Sequence, residues 1–190
     1  MDLDITSRCN LRCKYCFQRT SPTDTANELP AEEWTRFCSE LGDCAVMSVC
    51  IGGGEPFIRD DLPEIIDAVI ENRMRFSILS NGGLITPEMA AHIASTGRCD
   101  YVQISIDGSC PEVHDSLRGP GSFAGAIRGL RTLQDAGVKV TSRVTIHPYN
   151  LGDLENIAHL LLDELGMGGI STNSTCYLGA ARQNRDEVEL

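Results

Sequence analysis

Aromatic residues make up only 5% of this chain, with a single tryptophan. The core must therefore be built from aliphatic side chains. No run approaches the ~20 apolar residues that a membrane span needs. Basic residues are outnumbered, 16 Lys and Arg against 27 Asp and Glu, and the net charge is −11. That balance argues against nonspecific binding to nucleic acid, which calls for a basic surface. No charged-then-apolar leader opens the chain. No low-complexity tract, internal repeat or linker divides its 190 residues, and that length suits one compact domain. Nucleic acid and membrane are thus not expected as partners.

Cysteine, by contrast, is plentiful, with nine residues. The chain is too long and too rich in helix and strand signals for a disulfide scaffold. Six of the nine (Cys38, Cys44, Cys50, Cys99, Cys110 and Cys176) form no short C-x-x-C pair and read as small buried hydrophobes. The expected compartment is a reducing cytoplasm. The other three stand together in Cys9-Asn-Leu-Arg-Cys13-Lys-Tyr-Cys16. Leu3–Thr6 before them reads as a strand, so the thiols sit on a loop beyond a strand end. A C-x-x-x-C-x-x-C loop can turn three sulfurs toward one point. Thiolates suit soft metals and iron–sulfur clusters. A four-iron cluster usually takes four cysteines, so three would leave one iron open. A structural zinc knot remains the alternative on spacing alone.

The rest of the chain alternates. Strands are expected at Val46–Ile51, Phe76–Ser80, Tyr101–Ile106, Val138–Ile146 and Ile170–Ser174. Helices are expected from Pro30, over Asp61–Glu71, from Thr86-Pro87, over Ser122–Gln134 and over Leu154–Leu165. Residues 19–29 read as a loop, and Gly179-Ala-Ala-Arg182 as the end of strand six. Six strands alternating with helices through short connections predict an α/β fold with a parallel sheet. An open sheet and a partial barrel both fit the pattern. Chemistry-bearing residues follow strands one to four, at the end where either architecture builds its sites.

Four further stretches carry polar residues at strand ends. Gly52-Gly53-Gly54-Glu55-Pro56 follows strand two, where glycines let the backbone approach a ligand closely. Ser80-Asn81-Gly82 ends strand three. Gln103, Ser105 and Asp107 alternate with apolar residues and share one side of strand four. His114-Asp115-Ser-Leu-Arg118-Gly119 comes next. Arg143, Thr145 and His147 alternate along strand five, with His147 read as structural.

The cysteine loop, with Tyr15 as the aromatic residue before its third cysteine, resembles the signature of radical S-adenosylmethionine (SAM) enzymes. The G-G-E-P, S-x-D-G and H-D-x-x-R-G stretches are similar to further elements of that family, in its peptide-modifying SPASM or twitch branch. The resemblance implies a (β/α)6 partial TIM barrel. It implies a [4Fe–4S] cluster on Cys9, Cys13 and Cys16, with SAM chelating the open iron. Reductive cleavage of SAM would give a 5′-deoxyadenosyl radical that abstracts hydrogen from a substrate. By the same resemblance, Gly53, Gly54 and Glu55 hold the amino group of SAM, and Ser80 and Asn81 lie near it. Ser105 serves its carboxylate or ribose, Asp107 lies near its ribose or supports the site, and Arg118 reaches its carboxylate. Tyr15 and, from the alternation along strands four and five, Gln103 and Arg143 complete the cofactor-binding set. The implied substrate is a peptide undergoing maturation, or alternatively a tetrapyrrole or other cofactor precursor. The implied electron donor is a flavodoxin or ferredoxin. Residues 1–182 are the expected core. Residues 183–190 are expected to be an acidic tail, and a truncation point before an auxiliary-cluster domain. A non-enzymatic metal-binding domain is the alternative from another class.

Overall fold

The computed structural model describes residues 1–18 and 28–190. Most of the loop expected over residues 19–29 therefore lies outside the described residues. Six strands, β1 (Asp2–Asp4), β2 (Ser48–Gly52), β3 (Arg75–Ser80), β4 (Cys99–Ser105), β5 (Val140–Ile146) and β6 (Ile170–Ser174), form one sheet in sequence order. Every neighbouring pair is parallel. The architecture is α/β, a six-stranded parallel partial barrel, as expected. Among the described residues β1 and β6 are the unpaired edges, so one side is open.

Helices α1 (Ala31–Asp43), α2 (Leu62–Glu71), α3 (Pro87–Ser95), α5 (Ser122–Asp135) and α6 (Leu154–Ala158) cross between strands. A proline in the first turn of α2 and α3 starts each without losing a hydrogen bond, and Thr86 caps α3 by accepting from the Met89 N–H. Alternation within the strands separates two faces. Val49, Ile51, Phe76, Ile78, Val102, Ile104 and Val144 are buried against Leu41, Ile65, Ile66, Ile93, Leu130, Leu133 and Ile157 of the helices. The opposite face of β4 to β6 is polar, carrying Gln103, Ser105, Thr141, Arg143, Thr145, Ser171 and Asn173.

Three features depart from the expectation. Helix α4 (Pro111–Arg118) was not foreseen. It begins with Pro111 after Cys110 and ends at Gly119, whose φ of 111° halts the helix. The stretch Gly179–Arg182 does not end strand six. It forms α7 (Gly179–Gln183), followed by α8 (Arg185–Val188). Gly179 has a φ of 55° and lies against the Phe17 carbonyl, so the chain turns there and cannot continue extended. The helix expected over 154–165 is α-helical only to Ala158 and then widens to a π-helical turn over His159–Glu164.

Gly129 shows how tightly α5 is seated. A Cβ at this position would come within 2.1 Å of the Gly82 carbonyl oxygen. Helix propensity alone favours Gly129→Ala by about 1 kcal/mol. Overpacking typically costs about 1–3 kcal/mol, so thermal unfolding is expected at a lower temperature in this variant. A raised melting temperature would show that α5 is not pressed on the β3 exit as described.

Candidate active site

The cysteine loop is tied to its surroundings on several sides. Strand pairing continues past β1 and β2: Ile5 N–H donates to Gly52 O at 3.1 Å, Gly54 N–H to Thr6 O at 2.8 Å, and Glu55 N–H to Arg8 O at 2.8 Å. The glycines of the G-G-E-P stretch serve this seam. A Cβ on Gly53 would sit 2.3 Å from Thr6 O, and one on Gly54 2.1 Å from Arg8 O. Arg59 holds the base of the loop by donating to Ile5 O at 2.9 Å, while a two-point bond to Asp61 fixes its guanidinium. From the other side Lys14 N–H donates to Leu117 O and Ala180 N–H to Cys16 O. Asn184 donates to Lys14 O, and Lys14 pairs with Glu187. Val188 is buried against Leu117, Ala181 and Tyr15. The chain beyond residue 182 thus covers the loop.

The three thiols are half-buried and free. Burial raises Cys13 to about 11; Arg118 works against that shift, while Cys9 and Cys16 add to it. Burial also raises Cys9, opposed by the Leu11 N–H, which donates to its sulfur at 3.4 Å. Asn81 Nδ2 lies 3.8 Å from the same sulfur. The thiols are thus within electrostatic reach of one another. Among the described residues no three His, Cys, Asp or Glu side chains gather closely enough to hold a single metal ion.

Glu55 is fully buried. Its carboxylate accepts from Ser80 Oγ at 2.8 Å, Asn81 N–H at 2.7 Å and Phe57 N–H at 3.3 Å. Burial raises its pKa to about 7 against these three donors. A carboxylate has about four acceptor positions, so one is left for a further donor. Ser80 and Asn81 are thereby explained as partners of Glu55. Asn81 also donates to Asn10 at 2.8 Å.

Asp107 is the centre of a second network. Its side chain is fully buried. Oδ2 accepts from Arg118 Nε at 2.6 Å and from the Tyr15 hydroxyl, and Oδ1 from Thr145 N–H at 2.7 Å. Burial would raise Asp107, but Arg118 and these donors outweigh it and the carboxyl lies below its usual range. Burial likewise disfavours the charge on Arg118, and Asp107 outweighs it. Only Nε of Arg118 is engaged among the described residues, which leaves the terminal amines for an anion.

The H-D-x-x-R-G stretch, which the sequence offered only as an arginine site, is built around this carboxylate. His114 Nδ1 accepts from the Asp107 N–H at 3.1 Å and therefore carries no proton there; burial, with Arg118 adding to it, lowers its pKa to about 4. Asp115 accepts from Ser122 Oγ, Phe123 N–H and Gly121 N–H, capping α5. Gly108 allows α4 to approach, since a Cβ there would meet the His114 nitrogen at 2.4 Å. Asn150, buried just after β5, donates to both Asp107 O and Thr145 O at 2.9 Å. Its place after a strand is the one signal the sequence holds for it.

The remaining expected residues are dispersed. Gln103 donates to Ser171 at 3.3 Å, low on the concave face, beside a cavity of about 820 Å³ at the opposite, amino-terminal end of β4 to β6. Ser105 pairs in register with Arg143, and neither side chain has a partner among the described residues. His147 is buried and stacks on Tyr15 with ring centroids 5.9 Å apart; both its ring nitrogens lack a partner.

The sequence profile described as the radical SAM superfamily matches residues 3–161. The chain is similar to an Fe-coproporphyrin III synthase of Methanosarcina barkeri, 38% identical over 85% of this chain and 40% of that protein. It is similar to mycofactocin maturase MftC of Mycobacterium ulcerans, 39% identical over 83% of this chain and 42% of that protein. Its fold matches Streptococcus suis SuiB bound to precursor peptide SuiA, with a TM-score of 0.80 and 19% identity over 93% of this chain and 39% of SuiB. The chain thus spans about four tenths of the length of these relatives.

Removing one member of the buried pair leaves the other charge uncompensated, which typically costs about 3–5 kcal/mol. Asp107→Ala and Arg118→Ala are each expected to lose that much in denaturant unfolding, and the double variant less than their sum. The Asp107 contribution is present above pH ~4 and lost as pH falls below it. Glu55 acts in the opposite direction: its raised pKa makes stability decline as pH rises from ~4.3 to about 7. Unfolding curves that are independent of pH across that upper window would contradict the burial of Glu55.

Proposed function

This chain belongs to the radical SAM superfamily, and from that premise we propose that residues 1–182 are the core of an enzyme that generates a radical from SAM. The carrying observation is the meeting of three elements at the carboxyl-terminal end of the sheet: a half-buried trio of thiols, the buried acceptor Glu55 and the partly unspent guanidinium of Arg118. These groups fit the cofactors in chemistry. Cys9, Cys13 and Cys16 would hold a [4Fe–4S] cluster, Glu55 would face the ammonium of SAM and Arg118 its carboxylate. Together the two cofactors supply a 5′-deoxyadenosyl radical that takes hydrogen from a substrate.

The residues of this chain bind and orient. Glu55, half-protonated near neutrality, becomes fully charged when it meets a cation. Arg118, steered by Asp107, presents a planar donor pair suited to a carboxylate. Gly53 and Gly54 act by holding the loops together, and Ser80 and Asn81 by holding Glu55. On the polar concave face Ser105 is left for the carboxylate or ribose of SAM, with Arg143 beside it in register.

The reading for that substrate is a peptide undergoing maturation. Support comes from the likeness to MftC and from SuiB, solved with its precursor peptide. A second reading, a tetrapyrrole, is favoured by the similarity to Fe-coproporphyrin III synthase. The electron donor in this reading is a flavodoxin or ferredoxin, and the setting a reducing cytoplasm. No helix among the described residues is long and apolar enough to cross a membrane. Residues 183–190 form the segment that closes over the cysteine loop.

Reduced anaerobically with dithionite, the cluster-loaded chain is expected to convert SAM slowly to 5′-deoxyadenosine and methionine without substrate. Chromatography of the reaction reads the outcome. A cluster-replete sample giving no 5′-deoxyadenosine would overturn the activity.

A further inference from the structure

Tyr15 lies inside the cysteine loop, one residue from Cys16 and two from Cys13. Its side chain is half-buried and packs against Leu117, Ala181 and Val188. A phenol is a hydroxyl donor at neutral pH. That donor is spent on Asp107 Oδ2, the same oxygen that receives Arg118 Nε. The ring meanwhile lies under the guanidinium, 5.4 Å from its carbon, and against His147. Tyr15 thus touches Arg118 in two ways, through the shared carboxylate oxygen and through its ring face.

We propose that Tyr15 is a positioning residue: its hydroxyl on Asp107 sets the angle at which Arg118 presents its terminal amines to an anion. The cysteine loop and the anion-holding arginine then move as one unit. This rests on the assignment of Arg118 to the carboxylate of SAM, and it deepens that assignment. The geometry supplies the reason. Asp107 Oδ1 is fixed by a backbone N–H, but rotation of the carboxylate about that contact is opposed only by groups on Oδ2. Without the phenol, Arg118 is the sole group on that oxygen among the described residues and can swing with it.

The test compares SAM with decarboxylated SAM, which lacks the carboxylate that Arg118 would hold. Dissociation constants of both are measured by calorimetry on cluster-loaded wild-type, Tyr15→Phe and Arg118→Ala protein, with iron content and melting temperature recorded for each. Tyr15→Phe is expected to keep its iron and weaken SAM about 10-fold, with decarboxylated SAM unchanged. Equal weakening of both ligands would overturn the proposal, because the hydroxyl would then be supporting the site in general. Unchanged SAM affinity would overturn it too, as would lost iron in a normally folded variant. Asp107→Asn probes the same link from its other end and is expected to lose the same preference for SAM. Arg118→Ala separates this inference from its premise. If that variant still prefers SAM over its decarboxylated form, the assignment of Arg118 itself fails.

Discussion

The site depends on a carboxylate that has no access to water. Asp107 stays charged in the interior because Arg118, Tyr15 and a backbone N–H from β5 all face it. A buried charge lacking such partners would cost several kcal/mol. Those partners come from α4, the cysteine loop and β5, so satisfying one charge brings three separate parts of the chain together. His114 and Asn150 then fix the backbone on either side of it. Through Tyr15 the carboxylate joins the backbone ties that hold the cysteine loop against the sheet.

Glu55 plays a matching part on the other side of the loop, with the opposite electrostatic outcome. Its three donors are neutral, and no cation is in direct contact among the described residues, so burial prevails and raises its pKa to about 7. One carboxylate is thus committed to an arginine and the other kept ready for a positive partner. That division of labour follows from which elements reach each strand end. The loop after β3 offers only a hydroxyl and a backbone N–H, whereas α4 brings a guanidinium back over β4.

Much of this was legible in the sequence. Short apolar runs, alternating in strands one, four and five, located the six strands, and their polar followers marked the functional end of the sheet. Periodicity could not choose between an open sheet and a partial barrel, because both present the same local pattern. Helix α4 escaped notice because its eight residues carry a proline in the first turn but only two strongly apolar side chains, of which Leu117 alone is buried; its other buried positions are the polar His114 and Arg118. Gly53 and Gly54 were read as room for a ligand, whereas the structure uses them for backbone against backbone. Such contacts across the fold leave no periodic trace. The same is true of Tyr15 and Asp107, 92 residues apart. The last turns of the chain looked like a solvated acidic tail. The burial of Val188 depends on the pocket formed by Leu117, Ala181 and Tyr15, and a local reading cannot see it.

The central claim is that Cys9, Cys13 and Cys16 hold a redox-active cluster to which SAM binds through Glu55 and Arg118. Electron paramagnetic resonance of the reduced, reconstituted protein addresses this directly. The account predicts the signal of a reduced [4Fe–4S] cluster, a change in its g-values when SAM is added, and no signal when all three cysteines are replaced by alanine. A signal retained in the triple variant, or one indifferent to SAM, would contradict it.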